Sequence, residues 1–437
     1  TLSNGLPDFL AAEEMHRFRG HWFCPNSRYL VYCKVDESTV AVSYRLEMQA
    51  DGAQTIQQRY PYAGADNPRV SLWVFDLQSS SNRRIWQDST EIDSEDVYLA
   101  RVQVKADSVY IQTQDRRQQC LTVKRMALQD SEAPWQLLHK ESSASWINLN
   151  DDLTVLDQNR IVISSESSGT NQLYLLDGQG KCAPLPCPTH INAIRHAGDE
   201  HIFVSGWHET PIENHLFKIA LNGDPWRQLT TQEGWHDVVL APDASTFIDR
   251  HSHESQPPSI CYRDVEGGMS KVLWAEKFSA EHPYHPFLPA HATAEFGSVT
   301  ATDGQQVFYR LTPPAEINGL HATIVYVYGG PGPQKAKREW SPLTVQLFAQ
   351  NGFAVLEIDN RGTGNRGITF ESPIYGNMGH VEVEDQVAGL QALKGHAWAD
   401  LSRVGVFGHS YGGYMTLMSL SLAPQHFAAG VAVAPVC

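Results

Sequence analysis

The chain has 437 residues, enough for two or more domains, and 42% hydrophobic with 19% charged residues is the composition of a soluble globular protein. No apolar run reaches the roughly 20 residues that a membrane-spanning helix needs, so no membrane segment is predicted. The net charge of −16 argues against nucleic acid as a partner, because nucleic-acid binding requires basic patches.

The seven cysteines are scattered along the chain and odd in number. Their spacing matches no zinc-binding pattern, so we expect no metal, and no other motif implies a cofactor. Cys182 and Cys187 lie close enough in sequence to bridge a small loop. The alternative is that most of the cysteines are small, buried apolar residues.

The first predicted element is a helix-like segment over residues 7–18, which contains two adjacent acidic residues, Glu13 and Glu14. Adjacent glutamates on a helix usually face solvent, because a buried carboxylate needs a partner. Taken alone, the pair predicts only a solvated helix face.

Residues 20–275 contain a loose repeat of short strands separated by turns. One apolar or aromatic-rich strand recurs at intervals of about 43 to 52 residues, at 72–76, 121–124, 173–177, 216–219 and 260–264. A second strand with bulky residues follows several of them, at 84–86, 135–138, 226–229 and 271–274. Because four short strands in about 40 to 50 residues are typical of a β-propeller blade, we predict a β-propeller with about five visible blades. An all-β sandwich with coincidental spacing is the alternative.

From about residue 288 the pattern changes to alternating strands and helices. The predicted strands lie at 322–328, 354–358, 404–407 and 430–434, and a helix fits 381–393. The first of these strands is nearly all apolar, as buried parallel strands are, and the alternation predicts a parallel α/β sheet. We therefore expect a propeller domain over residues 1–287, incomplete at its N-terminus, and an α/β domain over residues 288–437.

Residues 408–412, Gly-His-Ser-Tyr-Gly, have the Gly-x-Ser-x-Gly form of a nucleophile elbow. An apolar strand precedes the motif and a helix-like run follows it, which is the context that such an elbow needs. The serine of an elbow sits on a strained turn that crowds neighbouring side chains, which explains the glycines. Ser410 is therefore the candidate nucleophile of an α/β-hydrolase domain.

The remaining catalytic residues of such a domain are missing after this serine. In α/β hydrolases the acid and the base follow the nucleophile, in the order Ser, Asp or Glu, His. Beyond Ser410 the chain has no Asp or Glu and one histidine, His426, which we interpret as structural. Either the chain stops before its catalytic machinery is complete, or it is not an enzyme.

Several motifs together resemble the prolyl oligopeptidase family of serine peptidases, and most of all its dipeptidyl peptidase IV group. They comprise Glu-Glu-Met at 13–15, Arg-Tyr-Pro-Tyr-Ala-Gly at 59–64 with Asn-Pro at 67–68, Tyr-Val-Tyr-Gly-Gly-Pro-Gly at 326–332, Val-Glu-Asp-Gln at 383–386, and the elbow at 408–414. Members of this family pair a β-propeller with an α/β-hydrolase domain. The resemblance implies that the chain is an internal fragment, which begins inside the propeller and ends before the triad Asp and His.

The resemblance also implies roles for residues at matching positions. Ser410 matches the acylating nucleophile. The backbone N–H of Tyr411 and the hydroxyl of Tyr328 match the two donors that stabilise the oxyanion of the tetrahedral intermediate. The ring of Tyr411, with Val436, matches part of the pocket that holds the residue before the scissile bond.

The same resemblance changes the interpretation of Glu13 and Glu14. In the dipeptidyl peptidase IV group, a pair of glutamates at this place clamps the α-amino group of the substrate. A fixed anionic pair binds the cationic N-terminus of the substrate. The bond that reaches the nucleophile is then the one two residues from that N-terminus. The implied partners are therefore peptides with a free N-terminus.

Two residues near the elbow receive secondary interpretations. His409 stands where relatives often carry tryptophan, and on an elbow this side chain points away from the face of the nucleophile, so we do not expect it to be the base. Arg361 matches a family Arg-Gly pair near the site, for which we expect an ordering role.

Because relatives are often dimers, the resemblance also implies a homodimer.

The sequence therefore predicts a serine-type dipeptidyl peptidase that releases X-Pro or X-Ala dipeptides through an acyl-enzyme, without a metal or cofactor. We expect the 437-residue chain to be inactive by itself, because it lacks the triad Asp and His. Two alternatives stay open. One is a tripeptidyl or acylaminoacyl peptidase of the same family, and the other is a propeller binding module whose hydrolase domain is degenerate.

Overall fold

The computed structural model describes residues 2–88, 97–267 and 270–436. Its backbone divides into two compact units, Thr1–Ile163 with Tyr174–Ala183, and Ser164–Leu173 with Pro184–Cys437. None of the helices in the described ranges is long and apolar enough to cross a membrane.

The first sheet has five strands, and a two-stranded hairpin is inserted between its third and fourth strands in the chain. The sheet comprises β1 (Leu2–Asn4), β2 (His21–Phe23), β3 (Tyr29–Asp36), β6 (Arg69–Asp76) and β7 (Ser81–Gln87), in the order β1-β3-β6-β7 with β2 also paired to β3. The hairpin comprises β4 (Val42–Gln49) and β5 (Gly52–Arg59). All these pairs are antiparallel.

Four further sheets of the described chain each contain four strands that are consecutive in sequence. They comprise β8 (Val97–Lys105), β9 (Ser108–Asp115), β10 (Cys120–Ala127) and β11 (Gln136–Ser142); β12 (Thr154–Val155), β13 (Ile161–Ser165), β14 (Gln172–Leu176) and β15 (Cys182–Pro184); β16 (His190–Ala197), β17 (His201–Trp207), β18 (His215–Ala220) and β19 (Arg227–Gln228); and β20 (Trp235–Leu240), β21 (Thr246–His253), β22 (Gln256–Asp264) and β23 (Ser270–Ala275). Each sheet is a meander in which neighbours in the chain are neighbours in the sheet. This is the arrangement of propeller blades.

Alternation of buried and partly buried residues explains how these strands pack. Along β3 every second residue is buried, from Tyr29 to Val35, because successive side chains of a strand point to opposite faces. In the first unit, the inward residues of β3, β6 and β9 form one apolar core that includes Val31, Leu72 and Ile111, all of them fully buried. Burying each such side chain contributes about 1.5–3 kcal/mol.

The structure confirms the predicted repeat and gives each strand a place in its sheet. The five repeated strands are β6, β10, β14, β18 and β22, and each is third in the order of its sheet. The predicted second strands, which carry bulky residues, are β7, β11, β19 and β23, and each is the edge strand next to the third strand of its sheet. The third strand, like the second, is hydrogen-bonded on both sides, so its side chains pack against both neighbours.

The C-terminal part of the second unit forms a six-stranded mixed sheet. Its strands are β24 (Glu295–Thr300), β25 (Gln306–Thr312), β26 (His321–Val327), β27 (Ala354–Ile358), β28 (Ala399–His409) and β29 (Ala429–Val433), in the order β24-β25-β27-β26-β28-β29. The last four in this order are parallel, whereas β25 is antiparallel to both β24 and β27. The predicted parallel sheet is therefore confirmed, with an antiparallel edge that the sequence pattern did not indicate.

Five α-helices and four short 3₁₀ helices occur in the described ranges. They are α1 (Phe9–Glu13), α2 (Leu343–Gln350), α3 (Ile368–Glu371), α4 (Val381–Gly389) and α5 (Tyr411–Leu422), with the 3₁₀ segments Asp157–Asn159, His285–Ala290, Ser372–Ile374 and Leu390–Gly395. The helix predicted over 381–393 is α4, which changes to 3₁₀ geometry at Leu390. The helix predicted over 7–18 is too long, because the chain leaves helical geometry at His16, whose φ is +53°.

Apolar residues of the parallel strands form the core beneath the candidate site. Val325, Leu356 and Val406 are at most 3% exposed, and Met415 of α5 packs in the same cluster. This core fixes the ends of β26 and β28 relative to each other. The domain boundary expected after residue 287 falls inside the second unit and stays a prediction.

The cysteines that the structure describes are free thiols, Cys182 and Cys187 among them. Burial raises the pKa of Cys187 to about 11. Cys24, Cys33 and Cys261 are buried, whereas Cys120 and Cys187 are partly buried and Cys182 is exposed, so half of the described cysteines fit the interpretation as small, buried apolar residues.

Candidate active site

Ser410 lies on a sharp turn between strand β28 and helix α5. Its backbone has φ of +59° and ψ of −119°, and such a conformation costs a residue other than glycine about 1–3 kcal/mol. The turn is held because the N–H of Ser410 donates to the carbonyl of Val433 at 2.9 Å, and the N–H of Tyr414 donates to the carbonyl of Ser410 at 3.1 Å. The strand–turn–helix context predicted for the elbow is confirmed.

Two glycines allow the elbow to pack against the neighbouring strand. A Cβ atom on Gly412 would lie 2.2 Å from the carbonyl oxygen of Val327, so α5 can approach the end of β26 only without a side chain there. A Cβ atom on Gly330 would lie 2.5 Å from the ring of Tyr411. The glycines therefore permit close contacts between segments that are distant in sequence.

The structure brings Tyr328 and Tyr411 to the same edge of the sheet as Ser410. Strands β26 and β28 are parallel neighbours with Val327 opposite Gly408, so Tyr328 follows its strand at the level of the elbow. The two tyrosine ring centroids are 6.1 Å apart. The N–H of Tyr411 lies in the first turn of α5, where backbone N–H groups have no intrahelical acceptor.

A buried carboxylate holds the side chain of Tyr411. The Tyr411 hydroxyl donates to Oε1 of Glu382 at 2.7 Å, and Glu382 is fully buried. Burial and this hydrogen bond raise the pKa of Tyr411, so the hydroxyl stays protonated. The sequence pattern does not identify Glu382, because its only sequence signal is an acidic run at the start of a predicted helix, next to Val-Glu-Asp-Gln at 383–386.

Val436 lies against the backbone of the elbow. Its N–H donates to the carbonyl of Ser410 at 3.4 Å, and its side chain is 58% exposed. The structure therefore places the backbone of Val436 next to Ser410, and its role as a pocket residue stays a prediction.

Glu13 and Glu14 belong to the first unit, whereas Ser410, Tyr328, Tyr411 and Val436 belong to the second. Glu13 ends α1 and Glu14 caps it, and both residues are exposed. Within the described ranges neither carboxylate forms an ion pair with a basic side chain. Both remain available to a cationic ligand.

The segment that carries these glutamates is fixed by buried contacts. Asp8 caps α1 by accepting the N–H of Ala11 at 3.0 Å. Its carboxylate also pairs with Arg17 at 3.2 Å, and both side chains are at most 7% exposed. Arg101 donates to the carbonyl of Met15. Side chains from elsewhere in the first unit therefore hold the backbone on both sides of Glu13 and Glu14.

The loop that follows Tyr328 is held at two points. The buried carboxylate of Asp359 accepts the backbone N–H groups of Lys335 at 2.7 Å and Ala336 at 3.1 Å. Burial raises the pKa of Asp359 despite these hydrogen bonds. Arg338 pairs with Glu213 and Glu254, each at 2.8 Å, and the hydrogen bond to Glu254 is the main cause of its raised pKa.

The other polar candidates face solvent or bind groups other than the Ser410 hydroxyl. His409 is exposed at the end of β28, and the N–H of His426 donates to the carbonyl of Ala423 in the turn after α5. Arg361 is 4% exposed and bound to Asp385 at 2.7 Å, an arrangement that orders the backbone. In the part of the chain that the structure describes, no imidazole or carboxylate hydrogen-bonds to the Ser410 hydroxyl, and no cluster of three His, Cys, Asp or Glu side chains could hold a metal ion.

Comparisons with known proteins identify relatives over the whole chain. Residues 1–258 match the family described as the dipeptidyl peptidase IV (DPP IV) N-terminal region, and residues 339–437 match the prolyl oligopeptidase family. The chain is 25% identical to human dipeptidyl peptidase 8, covering 99% of this chain and 58% of the human protein. It is 24% identical to dipeptidyl peptidase 4 of Trichophyton equinum, covering 100% of this chain and 59% of that protein.

A solved structure has the same fold. The crystal structure of Porphyromonas gingivalis dipeptidyl peptidase 4 matches with a TM-score of 0.89 at 23% identity, covering 100% of this chain and 62% of that chain. The predicted fold class, a β-propeller followed by part of an α/β-hydrolase domain, is confirmed. The chain spans less than two thirds of the length of each of these relatives.

The close contact at Gly412 predicts a large effect of one methyl group. Gly412→Ala places a Cβ atom against the Val327 carbonyl, and overpacking of this kind costs about 1–3 kcal/mol or more. We expect the urea midpoint of unfolding to fall in Gly412→Ala. The matched control is Gly405→Ala in β28, where the new Cβ atom would lie 3.5 Å from its nearest neighbour, the carbonyl oxygen of Ala429. Equal midpoints for the two variants would contradict the packing described for the elbow.

Proposed function

Because this chain belongs to the prolyl oligopeptidase family, in its dipeptidyl peptidase IV branch, we propose that the natural protein is a serine exopeptidase that releases N-terminal dipeptides. The observation that carries the proposal is Ser410, held in a left-handed elbow beside Tyr328 and the N–H of Tyr411. The substrates are peptides with a free N-terminus, and the products are X-Pro or X-Ala dipeptides. The activity is assigned to the natural protein, since this chain spans 58% of the human relative.

The proposed reaction is a two-step acyl transfer. The Ser410 oxygen attacks the carbonyl carbon of the scissile bond while a histidine, which we place in the remainder of the natural protein, accepts the hydroxyl proton. The histidine then gives this proton to the leaving amine as the C–N bond breaks. Water, deprotonated by the same histidine, attacks the acyl carbon, and Ser410 is released with its proton restored.

Two donors support the negative charge that develops on the carbonyl oxygen. In the proposal these are the N–H of Tyr411 and the hydroxyl of Tyr328, which lie at the ends of adjacent parallel strands. Such donors are effective because they are oriented before the reaction, and one donor can contribute about 10²- to 10³-fold in rate.

The residue before the scissile bond is proposed to bind against Tyr411 and Val436. The Tyr411 ring is held in place by its hydroxyl contact with Glu382, and Val436 presents an exposed apolar side chain next to Ser410. A rigid, apolar surface of this kind suits proline or alanine, because both are compact and apolar.

The α-amino group of the substrate is proposed to bind Glu13 and Glu14. Their carboxylates lack cationic partners within the described ranges, and Asp8, Arg17 and Arg101 hold the backbone around them. A held anionic pair selects a free, protonated N-terminus and rejects blocked or internal peptides.

We also propose that the protein is a homodimer that uses the β4–β5 hairpin. Four alternate residues on one face of β4, namely Val42, Tyr44, Leu46 and Met48, are 46% to 78% exposed. A row of exposed apolar side chains on one hairpin face is the surface that a second copy would cover.

The role of Ser410 is tested with the protein of natural length. We expect Ser410→Ala to lower kcat for an X-Pro anilide by at least about 10⁴-fold, because the nucleophile is lost. A fluorophosphonate probe should label the wild-type protein at Ser410 and leave the variant unlabelled. A wild-type protein that neither labels nor hydrolyses the anilide would favour a propeller binding module with a degenerate hydrolase domain.

The dipeptide-releasing specificity is tested at the two glutamates. Glu13→Gln with Glu14→Gln should lower kcat/KM for free-amino X-Pro substrates by about 30- to 1,000-fold, because a charged contact worth roughly 2–4 kcal/mol is lost. Fluorophosphonate labelling of Ser410 should stay unchanged, and Glu132→Gln, an exposed glutamate of the same unit, should match wild type. Little change in the double variant would favour a tripeptidyl or acylaminoacyl peptidase.

Dimerisation through β4 predicts a change in molar mass. We expect Leu46→Glu with Met48→Glu to convert a dimer into a monomer in light scattering after size-exclusion chromatography, because the charges would be buried in the interface. Arg45→Glu, on the opposite face of β4, is the control and should leave the mass unchanged. A wild-type protein that is monomeric, or a double variant that remains dimeric, would refute this interface.

A further inference from the structure

Helix α4 carries three buried polar side chains on one face. Glu382, Asp385 and Gln386 stand at positions i, i+3 and i+4, which share a face of a helix, and each is at most 1% exposed. Buried polar groups are unfavourable unless they are hydrogen-bonded, so a helix that buries three of them must have partners for them. Those partners are Gly379 just before α4, Tyr411 at the start of α5, and residues at the end of β27 and on the loop after it.

Glu382 connects α4 to the nucleophile elbow. Its Oε1 accepts the Tyr411 hydroxyl at 2.7 Å and the N–H of Gly379 at 2.9 Å, while its Oε2 accepts the same N–H at 2.8 Å. Because Tyr411 is the first residue of α5, fixing its side chain also restrains the backbone N–H that follows Ser410.

Gln386 connects α4 to the loop after β26 through one intermediate residue. Its side-chain amide donates to Oδ1 of Asn360 at 2.7 Å. The amide of Asn360, which is fully buried, donates to the carbonyl of Gly329 at 2.8 Å. Gly329 directly follows Tyr328 and has φ of +78°, so this chain of bonds restrains the residue that carries the second donor.

Asp385, between these two residues, holds the helix itself in place. Its carboxylate binds the guanidinium of Arg361 at 2.7 Å and accepts the backbone N–H of Arg361 at 2.8 Å. Arg361 directly follows Asn360, so the same loop is tied to α4 twice. The helix therefore has a defined position relative to the ends of both strands.

We propose that Glu382 and Gln386 are positioning residues of the oxyanion site, Glu382 acting through Tyr411 and Gln386 acting through Asn360 on Tyr328. The proposal rests on the proposed function, since it assumes that Ser410 is the nucleophile and that the two tyrosines supply the donors. Its physical basis is that oxyanion donors act only when oriented in advance. A displacement of about 1 Å can cost roughly 10²-fold in rate.

The proposal is tested with a pair of double-mutant cycles on the protein of natural length. The readouts are the rate constant for fluorophosphonate labelling of Ser410 and the kcat and KM of an X-Pro anilide. In the first cycle, Glu382→Ala and Tyr411→Phe should each lower kcat and the labelling rate by about 10- to 100-fold, with KM within about threefold of wild type. The combined variant should be no slower than the slower single variant, because both changes break one contact.

Glu382→Gln serves as the conservative variant. An amide oxygen at the Oε1 position can accept the Tyr411 hydroxyl, but the amide nitrogen at the Oε2 position cannot accept the Gly379 N–H, so we expect the labelling rate to return in part. If Glu382→Ala does not fold, two milder variants still test whether the Glu382–Tyr411 contact supports the labelling rate. They are Tyr411→Phe, which lacks one hydroxyl, and Glu382→Gln. Glu384→Gln, at a 60% exposed position of the same helix, should stay within about twofold of wild type.

The second cycle uses Gln386→Leu and Asn360→Ala. Each single variant should lower kcat and the labelling rate, and the double variant should again be no slower than the slower single variant. Single variants at wild-type rates, or losses that multiply in the double variants, would overturn the proposal. Failure of this positioning proposal can be distinguished from failure of the proposed function. A wild-type protein that is not labelled at Ser410 refutes the nucleophile, whereas labelling without dipeptide release refutes only the substrate, and the labelling rates still test Glu382 and Gln386.

Discussion

The left-handed backbone at Ser410 is the constraint on which the candidate site depends. A residue with a side chain avoids φ near +59°, so the surrounding structure must supply the free energy that holds it there. It does so with the hydrogen bond from Ser410 to Val433, the pairing of β28 between β26 and β29, and the close approach of Gly412 to Val327. Ser410 is partly buried, and these neighbouring groups hold it at the end of β28.

Buried polar contacts extend this restraint to the loops around the elbow. Asp359 holds the backbone at Lys335, Arg338 pairs with Glu213 and Glu254, and α4 holds both Tyr411 and Gly329. Each contact gives a buried or partly buried polar group a hydrogen-bond partner, so removing one partner would leave the other without compensation. Such a network gives the loops one arrangement, which is the condition for donors that must be oriented before a substrate arrives.

The parts of the site that could be predicted are those encoded in short segments. The elbow was predicted because glycines and an apolar strand flank Ser410 within a few residues, and Tyr328 because its Gly-rich segment resembles a family motif. Glu382 could not be predicted, since it lies 28 residues before Ser410 and its role exists only because α4 packs against α5. On sequence alone, an acidic residue in the first turn of a helix indicates nothing beyond a favourable interaction with the helix dipole.

Local sequence patterns specify the blade repeat, the parallel strands and the elbow, because alternating or continuous apolar residues and turn glycines act on their neighbours in the chain. Three other features become visible only in the folded chain: the antiparallel edge formed by β24 and β25, the end of α1 before His16, and the buried polar face of α4. The physical reason is the same in each case. Strand pairing and the satisfaction of buried polar groups depend on partners far away in the chain, and no local preference specifies which partner will be reached.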